Sequence, residues 1–175
     1  MSSGDTLSNE NNEHAAAKPQ RRCAKLFVTK SEIMNIIEIT QYSEEVLETL
    51  NDLLPQLSPS ALSLSASDLI EIIQCESAYL LMAENDGQYC GSLTLVTFKI
   101  PTGTKALIED VVVNCDDRGK GVGRMLLECA VNLSKELGAK TVELTSNPSR
   151  EVANTLYKKV DFELRETNVY RHQNT

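Results

Sequence analysis

The chain has no tryptophan, and among its 175 residues there are five prolines and two histidines. Both histidines, His14 and His172, lie near the chain ends. A Ser-His-Asp or Cys-His mechanism needs an imidazole in a packed cleft, so those chemistries are set aside. The five cysteines (Cys23, Cys75, Cys90, Cys115 and Cys129) contain no CxxC pair, and with so few histidines no metal site is expected. Their odd number, with no apolar secretory h-region ahead of them, fits reduced thiols in a cytoplasmic protein. Asp5, Glu10 and Glu13 stand where a transit peptide would have few acids. No apolar run approaches the roughly 20 residues of a membrane span.

Positive charge is also missing over a long interval. Between Lys30 and Lys99 there is no Lys, Arg or His, yet there are eleven Asp and Glu. Residues 1–117 carry 7 basic and 18 acidic groups, whereas residues 118–175 carry 10 and 7. A nucleic-acid binder would show a basic patch on a neutral or basic domain. Neither nucleic acid nor membrane is therefore expected as a partner.

What is present fits one domain. Residues 1–24 are polar and aperiodic and read as a disordered tail; residues 25–175 read as a single domain. Residues 36–40 are short and β-branched, hence a strand. Ser43 caps a helix whose apolar positions, Val46, Leu50, Leu53, Leu54 and Leu57, recur at three and four. A Ser/Pro-rich link leads to a second short helix, capped by Ser67 or Asp68. Residues 78–113 read as a three-stranded antiparallel meander with turns at Asp86-Gly87 and Pro101-Thr102-Gly103. Val122, Met125, Leu126, Cys129, Ala130, Leu133 and Leu137 form the most regular helical stripe, ended by Gly138. Residues 141–146 read as a buried strand. Asn147 then caps a helix with Pro148 in its first position, and FELRETNVYR closes the chain as one or two strands. The fold class is α+β (mixed α/β): a mixed, mostly antiparallel sheet with helices packed on it.

The chemistry concentrates between the strand ending at Val113 and the helix beginning near Gly121. Arg118-Gly119-Lys120-Gly121-Val122-Gly123-Arg124 puts three glycines at alternate positions among three cations. Backbone N–H groups left unsatisfied at a helix start carry about half a positive charge. Together these features form a cradle for a phosphate or pyrophosphate. The Walker string GxxxxGK(S/T) is absent. A dinucleotide fold needs GxGxxG behind the first strand of a long βαβ array, and only about 50 residues follow here. Glu143, 20 residues past Gly123, is the one feature favouring it.

Arg118 to Gly123 matches the pattern (Q/R)-x-x-G-x-(G/A), and the segment resembles the GNAT family of N-acetyltransferases. The resemblance takes in IEDVVV before the loop, GRMLLECAVNLSKELG after it, TVELTS, and AxxLYKKVDF from Ala153 to Phe162, and spans about residues 36–171. Asp161 stands where that family has glycine. The resemblance implies a GNAT fold, acetyl-coenzyme A as cosubstrate and no metal. It implies a pyrophosphate site at Arg118, Gly119, Lys120, Gly121, Val122, Gly123 and Arg124. Main-chain contacts to the pantetheine arm would come from Val111, Val112 and Val113. Asn154 would add a side-chain contact, and Thr145 would stand where the sheet splays.

The implied reaction is direct attack of a primary amine of a small molecule or peptide on the thioester. Tyr157 occupies the position of the family's general acid; otherwise it is an amphipathic tyrosine covering the core edge. Glu109 and Asp110 are the candidate bases. As neighbours on a strand they point to opposite faces unless a bulge intervenes, and Glu109, directly or through water, is the choice against a solvated edge carboxylate. Cys129 falls on the buried stripe and Cys115 lacks a histidine, so neither reads as a nucleophile. The acidic first half favours a cationic acceptor, unless its carboxylates only decorate solvated helices. The IEDVVV…RGKGVGRMLL block is also similar to glucosamine-6-phosphate N-acetyltransferase, whose acceptor would want basic residues such as Arg150. A non-catalytic module that binds acetyl-coenzyme A is the alternative of another class. A homodimer is compatible with the family.

Overall fold

A computed structural model describes residues 22–28 and 33–174. Its strands are β1 (Arg22–Val28), β2 (Ile33–Glu38), β3 (Ala78–Asn85), β4 (Gln88–Ile100), β5 (Gly103–Val113) and β6 (Val142–Leu144). Its helices are α1 (Glu44–Leu57), α2 (Ala66–Gln74), α3 (Val122–Glu136) and α4 (Glu151–Lys159). The sheet runs β1-β2-β3-β4-β5-β6. Every pairing is antiparallel except β5 with β6, which is parallel. The α+β class and the mixed, mostly antiparallel sheet are as expected.

Strand alternation divides the apolar side chains between two cores. One core lies under α3 and α4 and collects Met34, Ile36, Leu81, Leu93, Leu95, Ala106 and Ile108 with the α3 stripe. The other lies under α1 and α2 and collects Ile37, Ile39, Leu80 and Met82. Leu126 and Leu127 are fully buried between α3 and the sheet. Helix α3 ends as expected: Gly138 has φ +77°, and Ala139 N–H bonds the Ser134 carbonyl at 2.9 Å. That pairing satisfies an orphan carbonyl of the last turn. Ser43 caps α1, its Oγ accepting from Val46 N at 3.2 Å.

Several local expectations are corrected. The cap of α2 is Ser65; Asp68 completes a capping box by accepting from Ser65 N at 3.0 Å. Strand β2 begins at Ile33 and ends at Glu38 rather than spanning 36–40. Strand β6 is three residues long and half-buried, because its position beyond β5 leaves one edge uncovered. Helix α4 starts at Glu151 after Arg150. Asn147 instead turns the chain, its Oδ1 accepting from Ser149 N at 3.0 Å, and Pro148 lies inside that turn. A short side-chain-to-backbone ring competes with helix initiation in this way. Residues 162–174 form no helix or strand, and Leu164 and Tyr170 are exposed. Of the expected tail, residues 22–24 belong to β1, and residues 1–21 lie outside the described residues. Cys90 and Cys115 are free thiols, whereas Cys129 is disulfide-bonded, against the expectation of reduced thiols throughout.

Asp161 resolves the departure noted at the end of α4. It takes φ +65°, the left-handed conformation a glycine would supply. Phe162 N–H still reaches the Tyr157 carbonyl at 3.0 Å, and the Phe162 ring meets Tyr157 edge-on at 6.3 Å. The helix exit is thus preserved at a conformational cost. Asp161→Gly is expected to raise the unfolding free energy by about 0.5–1 kcal/mol, measured by urea denaturation.

Candidate functional site

The site begins where two strands part. Strands β5 and β6 pair at Ala106–Val142, Leu107–Glu143 and Ile108–Leu144, and no further. At the same level β5 bulges. Against β4, Thr94 pairs with Glu109 and Ser92 with Val112, so β5 spends three steps where β4 spends two. The extra residue is housed by Asp110 at φ +53°, the local kink that a bulge produces.

The bulge changes which side chains face which core. Ala106 and Ile108 point under α3 and α4 before it; Val111 and Val113 pack against that core after it. Glu109 alternates with Ile108 and therefore faces the α1 side, where α1 packs on β4 and β5. Glu109 and Asp110 are both exposed. The Glu109 carboxyl is nonetheless partly desolvated, and that desolvation, followed by the neighbouring Asp110, raises it above the usual glutamate range.

Backbone direction follows from the same register. Asn114 N–H bonds the Cys90 carbonyl at 2.8 Å, so Asn114 and Val112 turn their main-chain groups to β4 and Val111 and Val113 turn theirs to the parted edge. Of the three valines expected to line the arm, Val111 and Val113 turn main-chain groups outward, and Val112 turns its own to β4. Arg118 Nε already donates to the Val113 carbonyl at 3.1 Å.

Helix α3 points its start at this edge. Its N-cap, Gly121, has φ +90° and no side-chain cap, and its first turn holds no acid. Met125 N–H makes the first intrahelical bond, to Gly121 O at 3.1 Å. The N–H groups of Val122, Gly123 and Arg124 therefore have no partner within the helix. Gly119, at φ +81°, makes the preceding turn. Gly123 has another task. A Cβ there would stand 3.0 Å from Leu156 Cδ2 and 3.6 Å from Val113 Cγ2, so its bareness lets α3 close on α4 and β5. The cations are held locally: Lys120 pairs with Asp117 at 2.9 Å and Arg124 with Glu128 at 2.7 Å.

The other wall comes from β6 and α4. Thr145 is exposed one residue beyond β6. Asn154 Nδ2 donates to the Asn147 and Pro148 carbonyls at 3.0 and 3.4 Å, so its amide braces the turn before α4. Tyr157 is 7% exposed. Burial raises its phenol above the ordinary tyrosine value, and Arg150 opposes that shift. Cys90 is no nucleophile: burial pushes its thiol up to about 11. Among the described residues, no cluster of His, Cys, Asp or Glu could hold a metal ion. No helix among them is long and apolar enough to cross a membrane. Two residues went unnoticed in the sequence. Ser146 Oγ is buried without a partner beside Thr145, and Gln56 Oε1 accepts from Cys115 N at 2.9 Å. Neither carries a motif.

The sequence matches the profile of the acetyltransferase (GNAT) family over residues 44–162. No curated protein sequence matches it. Among solved structures, a Trypanosoma brucei acetyltransferase is similar at TM-score 0.65 and 23% identity, covering 80% of this chain and 99% of that one. A transcriptional regulator from Bacillus halodurans is similar at TM-score 0.69 and 24% identity, with 80% and 99% covered. The aminoglycoside N-acetyltransferase AAC(6')-Iy in complex with CoA is similar at TM-score 0.68 and 17% identity, with 85% and 99% covered. A sheet that parts beside an uncapped helix start, with this profile across most of its length, defines the class: the chain belongs to the GNAT acetyltransferase family.

The raised Glu109 has a consequence for stability. A carboxyl whose folded pKa exceeds its unfolded value contributes fully below the unfolded pKa and loses that contribution as pH rises through the folded one. Glu109→Gln should therefore melt above the wild type at pH 7. That advantage should shrink towards zero as the pH falls to about 4, as followed by thermal unfolding across a pH series.

Proposed function

We propose that this protein moves the acetyl group of acetyl-coenzyme A directly to a primary amine of a small molecule or peptide. The observation that carries the proposal is the parted β5 edge facing the uncapped start of α3. The donor set suits the cosubstrate: unpartnered N–H groups for a diphosphate, and strand-edge groups for an amide-bearing arm. Val122, Gly123 and Arg124 N–H groups would hold the pyrophosphate, with Gly119 and Gly121 shaping the turn. Arg118 and Lys120 would lend charge. Val111 and Val113 would bond the pantetheine arm, with Thr145 and Asn154 on the opposite wall. Acetyl-coenzyme A supplies an acetyl group activated as a thioester.

Two proton movements fall to the chain. Glu109, directly or through water, takes the proton that the incoming ammonium must lose. Its raised pKa brings it nearer to that task. Tyr157, kept protonated by burial, gives a proton to the departing sulfur. Arg150 then stands near to steady the phenolate. The two residues flank the parting from opposite faces of the sheet, as an acceptor entering on the α1 side and a thiol leaving on the α4 side require.

The acceptor side argues for a cationic amine. No Lys, Arg or His lies between Lys30 and Lys99, a stretch that contributes α1 and α2. A similar structure is that of an aminoglycoside N-acetyltransferase. The same shortage of cations counts against a sugar phosphate.

In a thiol-release assay with an amine panel, cationic amines should be turned over. Tyr157→Phe should lower kcat roughly 100-fold while changing CoA affinity less than about twofold. Full activity in that variant would remove the acid role. CoA binding without turnover of any amine would favour a binding module, and turnover of glucosamine 6-phosphate alone would overturn the acceptor argument.

A further inference from the structure

The loop ahead of α3 is tied to α1 by the Gln56 side chain. Gln56 lies in the last turn of α1, and its Oε1 accepts from Cys115 N at 2.9 Å across 59 residues of sequence. Its Nε2 donates to the Asp52 carbonyl of its own helix at 3.1 Å. The Cys115 N–H needs an acceptor, and the amide oxygen is the end of Gln56 that supplies one. Cys115 follows Asn114, whose own N–H is given to β4. Two successive backbone donors thus anchor the departing chain, one to the sheet and one to α1.

The end of α1 is held from a second direction. Pro55 interrupts the helix ladder, since it has no N–H to return to Asn51. The Asn51 side chain meanwhile pairs with Leu64 in both senses, donating to its carbonyl at 3.0 Å and accepting from its N–H at 2.7 Å. The link from α1 to α2 is thereby tied to α1, and α1 is tied to the loop.

We infer that Gln56 is a positioning residue that sets the β5–α3 loop for acetyl-coenzyme A and couples cosubstrate binding to the α1 wall of the acceptor site. The inference rests on the acetyl-coenzyme A reading above. Without the Gln56 acceptor, Cys115 N–H must turn to water and the loop loses its outer anchor, while the packed core under α1 is untouched.

The test is calorimetric titration of the full chain with coenzyme A, with melting temperatures for the same proteins. Gln56→Ala should weaken coenzyme A binding roughly fivefold. It should raise the KM for acetyl-coenzyme A by a similar factor with kcat within about twofold. Asn51→Ala is the control. It cuts the Leu64 pairing and should lower the melting temperature by about 4 °C without changing coenzyme A affinity. Unchanged affinity in Gln56→Ala, or equal weakening in both variants, overturns the inference. Failure of the wild type to bind coenzyme A overturns the underlying functional proposal instead.

Discussion

The site depends on one extra residue in β5. If β5 continued without a bulge, Asp110 and Val112 would point under α3 and α4, and Val111 and Val113 would point away. The bulge at Asp110 exchanges these positions. It delivers two valines to the core that supports α3 and turns their main-chain groups to an edge where β6 no longer pairs. Glu109 stands just before the bulge, one residue past the last β5–β6 pair. A left-handed aspartate costs something of order 1 kcal/mol, a strain of the kind that persists where surrounding structure over-determines it.

The glycine segment divides its labour. Gly119 and Gly121 take positive φ and turn the chain so that α3 starts without a side-chain cap. Gly123 serves packing, because Leu156 and Val113 occupy the space a Cβ would need. The charge of the cradle resides more in the helix start than in side chains, since Lys120 and Arg124 are engaged with Asp117 and Glu128. Those exposed pairs are weak enough to reorient towards a bound anion. N–H groups fixed by the helix cannot reorient, so they set the register of whatever binds.

Much of this was legible because periodicity and glycine placement have local causes. The α3 stripe, its Gly138 end and the antiparallel meander each follow from a short stretch of chain. The glycine loop ahead of α3 is marked by residues adjacent in sequence. The errors lie where distant parts decide. Asn147 and Pro148 look like a helix start, but the Asn147 ring to Ser149 and the Asn154 brace hold a turn there. Residues 162–171 have a strand's composition, yet no described strand pairs with them. The partition of Val111, Val112 and Val113 depends on register with β4, and Glu109 and Asp110 showed only that a bulge would matter. Gln56 gives no signal at all, being an ordinary polar residue in a helix until the fold brings Cys115 to it.

The central claim is that a diphosphate-bearing arm lies along the parted β5 edge and ends on the α3 start. The most direct measurement is a backbone amide NMR titration of the ¹⁵N-labelled protein with coenzyme A. The largest shifts should fall on Gly119 to Arg124 and on Val111 and Val113, with Val112 much less affected. Saturable binding that leaves those amides unmoved and shifts another surface would contradict it.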